Sequence, residues 1–369
     1  MNVFVKTVFF ITIAFILTGC FSQKNKSIEL WKEGRLALSS DDRAGAMVLF
    51  QKAVNTDESN VNAHISIQEL MKKENLHNEC LRHYKDLFSK RQSAAWRRFV
   101  YARLLSSEQA KQLYEEGIKS QPSYAWFYYG LSNIEEQKGN IDQAVKLLEQ
   151  SLILDPDLTD AYVRLGRLYA LKKQFKIAEN CFNLASEKDP FYADSYFYQG
   201  NLQLLYGNIT NANELYQKAL KISPDDDRIK YALGKIDFLN GRYAEAYNIF
   251  KELYEKDTRN SRLPVSCARA VFMTGDASLA LNYLDKALSL QCDQGEVHFL
   301  KAMIFIETGA NDKAEAEFYL AKNFLPDNEN IKKTYALFKE FSAKGLSSGN
   351  QKTSRDVLDF NIYKNFLKI

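Results

Sequence analysis

The chain has 369 residues, 46% apolar and 26% charged, enough to bury a large core over two or three domains and unlike a disordered or collagen-like composition. Lys and Arg number 49 against 46 Asp and Glu, a net +3 that supplies no polyanion-binding field, so nucleic acid is not expected as a partner. Sixteen Gly and six Pro are few, and 24 Phe, 21 Tyr and 3 Trp are many, which predicts long helices with few tight turns.

In chain order, Met1 to Lys6 gives a short charged start, and Val8 to Leu17 is a ten-residue apolar run broken only by Thr12. Such a run suits a secretory h-region and falls short of the roughly 20 residues a spanning helix needs. Leu17-Thr18-Gly19-Cys20 then resembles a bacterial lipobox. The resemblance implies that residues 1–19 are a signal peptide, that the Cys20 thiol carries diacylglycerol, and that residues 20–26 form a short linker. The alternative is an uncleaved anchor from Val3 to Phe21, and either reading puts the protein on a membrane. Two or three acyl chains hold a protein there stably, whereas a single chain binds only marginally. Phe21 rather than Asp after Cys20 implies the outer membrane, facing the periplasm.

Downstream, proline sets a register. Pro122, Pro156, Pro190 and Pro224 are each 34 residues apart, and Pro326 follows Pro224 by 102, three further periods. Counting each repeat from Ala125, position 20 is Ala144, Ala178, Ala212, Ala246, Ala280 and Ala314, and position 27 is Ser151, Ala185, Ala219, Leu253, Ala287 and Ala321. Position 24 carries the bulky partner: Leu148, Phe182, Tyr216, Phe250, Leu284 and Phe318. Glycine at position 15 (Gly139, Gly207, Gly241, Gly275, Gly309) marks a turn between helices, and at position 8 (Gly34, Gly166, Gly200, Gly234) a close crossing. A fixed period with helical spacing inside it means stacked helical hairpins, none able to bury its apolar face alone.

This pattern resembles the tetratricopeptide repeat (TPR) family, most fully over residues 159–192 with Tyr162, Leu165, Gly166, Tyr169, Ala178, Phe182, Ala185 and Pro190. The resemblance implies an all-α solenoid of about nine hairpins: 27–60, 61–94, 95–124, 125–158, 159–192, 193–226, 227–260, 261–294 and 295–328. Residues 95–124 lack four positions, placed in the first helix or its turn. A capping helix is expected over 329–344, a polar linker over 345–356, and an amphipathic tail over 357–369, with Leu358, Ile362, Phe366 and Ile369 at helical spacing.

Chemistry is scarce. GxSxG, GxxxxGK and GxGxxG are absent, and nine of the sixteen glycines have repeat positions, so no catalytic residue, cofactor or small-molecule substrate is expected. His77-x2-Cys80-x2-His83 spreads over about 120° of helix surface where paired ligands prefer i, i+4, and Cys80 occupies core position 20; packing is favoured over zinc. His64 and His298 both sit at position 4, on the hairpin seam. Of Cys80, Cys181, Cys267 and Cys292, only Cys267 and Cys292 share a repeat, leaving a bridge there or buried free thiols throughout.

Function must then lie in a surface. On the first helix of each repeat, positions 4, 7, 8 and 11 form the hairpin seam, and positions 2, 5, 9 and 12 lie about 130° away, on the concave face of a solenoid. Position 5 brings Tyr129, Phe197, Tyr231 and Phe299; position 9 Asn133, Arg167, Asn201, Lys235 and Arg269; position 12 Phe238 and Phe272. These define an apolar groove with a central row of cations. It is suited to an extended acidic-aromatic segment of an envelope protein. The plainer alternative is that position 12 packs between helices and position 9 is merely solvated. Some family members grip a C-terminal carboxylate with a Lys, Asn and Arg set; Asn133 and Arg164 or Arg167 imitate part of it, but Tyr129 stands where that set uses Lys. Resemblance to TPR lipoproteins implies an assembly scaffold for pilus secretins, cell-wall hydrolases or exopolysaccharide export. A glycan-binding module stacking sugars on Trp126, Tyr128 and Tyr129 is the alternative.

Overall fold

The described residues, 22–290 and 292–343 of a computed structural model, form nineteen helices and no strand. The lipobox Cys20, the linker 345–356 and the tail 357–369 lie outside them. By packing the chain divides into two units, Met1–Asp226 and Asp227–Ile369.

The first unit holds α1 (22–39), α2 (Arg43–Thr56), α3 (Val61–Lys73), α4 (His77–Lys90), α5 (Ala95–Ala102), α6 (Ser107–Ser120), α7 (Ala125–Gln137), α8 (Ile141–Leu154), α9 (Thr159–Leu171), α10 (Phe175–Lys188), α11 (Ala193–Leu205) and α12 (Ile209–Ile222). The second holds α13 (Asp227–Leu239), α14 (Tyr243–Lys256), α15 (Arg262–Met273), α16 (Ala277–Ser289), α17 (Gln294–Glu307), α18 (Asn311–Phe324) and α19 (Glu329–Ala343). Odd and even helices pair into nine hairpins, and α19 follows the last as a single helix, the all-α repeat architecture the register predicts.

Each regular hairpin turns the same way. After α7 the Gly139 N–H donates to the Glu136 carbonyl and the Asn140 N–H to the Glu135 carbonyl, both 2.9 Å, a Schellman closure that requires a left-handed residue. Gly139 has φ 80°, and the four other position-15 glycines lie between 75° and 98°. Where glycine is missing, Asp41, Asn75 and Lys173 hold the same conformation at φ 58–59°, against the steric cost of their Cβ. The four-residue shortening of the third repeat falls in its first helix: α5 has 8 residues where α7 has 13, and the turn that follows α5 is one residue longer. Ser106 stands at the N-cap of α6, but its hydroxyl donates to Gln109 Oε1 and not to the helix end.

The seam is a volume exchange. Ala144, Ala178, Ala212, Ala246, Ala280 and Ala314 are all fully buried. A Cβ on Gly166 would come within 2.5 Å of the Phe182 ring, on Gly200 within 2.6 Å of Tyr216, and on Gly34 within 2.5 Å of Phe50. Aromatic residues at position 24 thus occupy the space a position-8 side chain would take. Repeats with Leu148 or Leu284 at position 24 instead admit Ser132 or Ala268 at position 8, both buried. Between repeats, Asp57, Asp155, Asp189 and Asp257 accept the N–H two residues on, at 2.9–3.2 Å. Asp155 and Asp189 take extended conformations before their prolines.

The first unit also makes a long-range contact within itself. Arg35 on α1 pairs with Asp189, donates to the Phe191 carbonyl, and stacks over Trp31 and Tyr192 at 5.0 and 5.6 Å. Arg43 on α2 pairs with Asp225 at 2.6 Å. These partners are 154 and 182 residues apart, so the first repeat meets the ends of the fifth and sixth.

Candidate functional site

The row formed by positions 5, 9 and 12 is divided between the units, and each part is described within its own.

In the first unit the row is internally satisfied. Tyr129 is buried, with its ring edge-to-face against Trp126 at 5.5 Å and the Arg164 guanidinium 5.2 Å above it. Arg164 donates to Asn133 Oδ1 and to Glu136 Oε2, each at 2.7 Å. Burial opposes the Arg164 charge, but Tyr129 and Glu136 outweigh it and hold the guanidinium firmly protonated. Arg167 turns to the same Glu136 at 3.4 Å and lies over the Tyr198 ring. Asn201 accepts from the Tyr216 hydroxyl at 2.7 Å, and Phe197 packs against Tyr198 and Tyr216. Nearby, burial pushes the Asp160 carboxyl up while the Tyr192 hydroxyl, donating at 2.8 Å, pulls it back. The cations here are matched by carboxylates of the unit itself.

The second unit differs. Tyr231, Lys235, Phe238, Leu239, Phe250, Ser266 and Arg269 line one small cleft. The Tyr231 hydroxyl meets Ser266 Oγ at 2.9 Å, and its ring packs on Phe250 at 5.3 Å. Phe238 is buried edge-to-face against Tyr243, and Phe272 is half-buried against the core of α13–α17. Arg269 pairs with Glu296 on the next first helix. Lys235 has no carboxylate partner among the described residues; burial, and then the neighbouring Arg269, hold its ammonium below the usual lysine range. Phe299, assigned to the groove from its position, is spent in the core edge-to-face with Phe318, with 2% of its surface exposed. Tyr129 and Phe238 are likewise largely buried, at 6% and 8% exposure.

Other candidates resolve plainly. Cys80 is buried whereas His77 and His83 are exposed, and no group of three or more metal-ligating side chains converges among the described residues. Cys80, Cys181, Cys267 and Cys292 are free thiols. Trp126 is buried against Phe99 at 5.0 Å, which leaves Tyr128 alone as an open ring of the proposed sugar platform. His64 and His298 sit in the seam, His298 held by Glu317 at 2.6 Å. No described helix is long and apolar enough to cross a membrane. The carboxylates that neutralise the row, Glu136 and Glu296, stand at positions 12 and 2, so the register contained the signal once the neighbouring helices were read together.

Residues 136–198 and 203–263 match one tetratricopeptide repeat family model, and residues 100–159 match a second. No curated protein matches the chain. Among solved structures, a chain of the APC/C hetero-tetramer Cut9-Hcn1 superposes with a TM-score of 0.65 at 14% identity, over 81% of this chain. This chain spans only 61% of that one. PilF of Pseudomonas aeruginosa has a TM-score of 0.50 at 18% identity, over 58% of this chain and 98% of its own. PilW, a type IV pilus biogenesis factor, has a TM-score of 0.52 at 18% identity, over 57% of this chain and 98% of its own. With the register, the repeated Schellman turn and the glycine–aromatic seam in agreement with the family models, residues 100–198 and 203–263 are tetratricopeptide repeats.

Proposed function

We propose that the chain is a lipid-anchored adaptor of the cell envelope. Cys20 tethers it to the outer membrane on the periplasmic side, and the Lys235 cleft takes an acidic group on an extended, aromatic-bearing segment of a partner protein. It acts by binding and not by catalysis. The observation that carries this reading is the unmatched ammonium of Lys235 among Tyr231, Phe238 and Arg269. A half-buried lysine beside a second cation is held at a cost to its charged form, and a carboxylate entering the cleft relieves it. Arg167 offers no such relief, because Glu136 already faces it. Of the envelope routes open to such an adaptor, pilus assembly is supported by the likeness in fold to PilW, a type IV pilus biogenesis factor.

Lys235→Glu reverses the charge at the cleft. Photo-crosslinking in cells from position 231 should capture a partner in the parent chain, and Lys235→Glu should weaken that capture at least tenfold, more at low salt than at high. Arg167→Glu should change it little. Equal capture by Lys235→Glu and the parent sinks the cleft as the recognition point. Cys20→Ala should abolish lipid labelling and release the chain from the membrane fraction; labelling that persists in that variant sinks the anchor independently of the cleft.

A further inference from the structure

The outer face of α18 breaks the pattern of every other second helix in the regular array. Positions 22, 26 and 30 fall on one stripe at i, i+4, i+8 spacing. The stripe reads Lys146, Gln150, Leu154, then Asn180, Leu184, Lys188, then Glu214, Lys218, Ile222, then Asn248, Glu252, Lys256, then Asn282, Lys286, Leu290, with at most one apolar residue each time. In the last repeat it is Ala316, Leu320 and Phe324. All three are exposed, Phe324 at 49%, and Tyr319 beside them is 66% exposed. A wholly apolar stripe on an otherwise wet face marks a surface that something covers.

We propose that this stripe is the docking surface of the chain's own C-terminal segment, residues 357–369. The occupant follows from what the chain still carries beyond α19. Leu358, Ile362 and Phe366 repeat the i, i+4, i+8 spacing of the stripe, with Ile369 beyond them. Two helices that each bear such a stripe cover one another along three turns. Reach permits it: α19 ends at Ala343, and residues 344–356 span up to about 43 Å when extended, against about 21 Å for the length of α18. The starting point is also near, because α19 packs on α18 through Phe338 on Phe318 at 5.5 Å, and the Tyr335 hydroxyl donates to Glu315 at 3.4 Å. The link is short and intramolecular, so the tail is present at high effective concentration and needs little affinity to occupy the stripe.

A benzophenone amino acid in place of Tyr319 in the full chain tests this. The expected product has the mass of one chain, with the crosslink in residues 357–369, and the triple change Leu358→Asp, Ile362→Asp, Phe366→Asp reduces it at least fivefold. Crosslinks at twice the chain mass, to another protein, or to no residue of 357–369 overturn the proposal; the first would assign the stripe to a second copy. Leu320→Asp with Phe324→Asp, both at exposed positions, should in turn speed tryptic cleavage at Arg355, Lys364 and Lys368 at least fivefold, and an unchanged cleavage rate overturns it as well.

Discussion

His64 makes the second repeat sensitive to acid. The ring is 2% exposed, stacked on Trp96 at 4.9 Å, with Nε2–H donating to the Glu58 carbonyl at 3.0 Å and Nδ1 facing the Tyr84 hydroxyl at 3.2 Å. Burial, partly offset by the Glu58 carbonyl and reinforced by His83 and Arg97, lowers its pKa from 6.5 to about 4. Because the folded value lies below the unfolded one, the contribution is fully present above pH 6.5 and is lost as pH falls toward 4. Acid protonates the unfolded ring first and drains the folded state. A shift of about 2.5 pH units corresponds to about 3 kcal/mol at the limit, of which about 2.5 kcal/mol is lost at pH 4.5. That is a large share of what one repeat contributes. The assay is the first urea transition of the parent chain and of His64→Gln, each at pH 7.5 and 4.5. Gln keeps a donor and an acceptor but does not titrate. The parent should lose about 2.5 kcal/mol more than the variant between the two pH values, and hydrogen exchange should place the loss in α3 and α4. Parallel losses would show that the buried imidazole is not what acid attacks.

Two further outcomes follow from the packing. Gly166→Ala brings a methyl group to 2.5 Å from the Phe182 ring, so it should cost about 1–3 kcal/mol despite alanine's better helix propensity, and Phe182→Leu in the same chain should recover part of it, as read by thermal melting. Arg35→Met leaves the Asp189 carboxylate, 7% exposed, without its cation; about 3 kcal/mol should be lost, and α1 should exchange its amides faster while α13–α19 do not change.

How much was legible depends on the range over which a residue acts. The repeat boundaries, the buried alanines and the pairing of Gly166 with Phe182 follow from a period of 34 and a helical turn of 3.6, so they could be read from spacing alone. So could the turn at position 15, and Asn75, Asp41 and Lys173 show that its left-handed backbone is imposed even where glycine is absent. The groove was read less well. Helical arithmetic gives the direction a side chain leaves its axis, but not what the next helix lays across that direction. Hence Tyr129, Phe238 and Phe299 share a face with Lys235 and yet are buried. The contact of Arg35 with Asp189 had no sequence signal, because it arises from curvature accumulated over three intervening repeats.

The same reasoning explains why the cleft falls where it does. A cation at position 9 is flanked along the array by position 12 of the preceding repeat and position 2 of the following one. For Arg167 the preceding position 12 is Glu136, and for Arg269 the following position 2 is Glu296; both pairs form. For Lys235 the following position 2, within the same unit, is Arg262, which is not a carboxylate. A row of cations on a concave face is therefore weak evidence of recognition until its internal partners are counted. Here the count removes all but one member. The remaining ammonium is also the one held below its ordinary range by burial and by Arg269. A partner that brings a carboxylate to that position would complete the pairing pattern that the other repeats complete from within, and its affinity would fall with added salt as an incompletely buried ion pair requires.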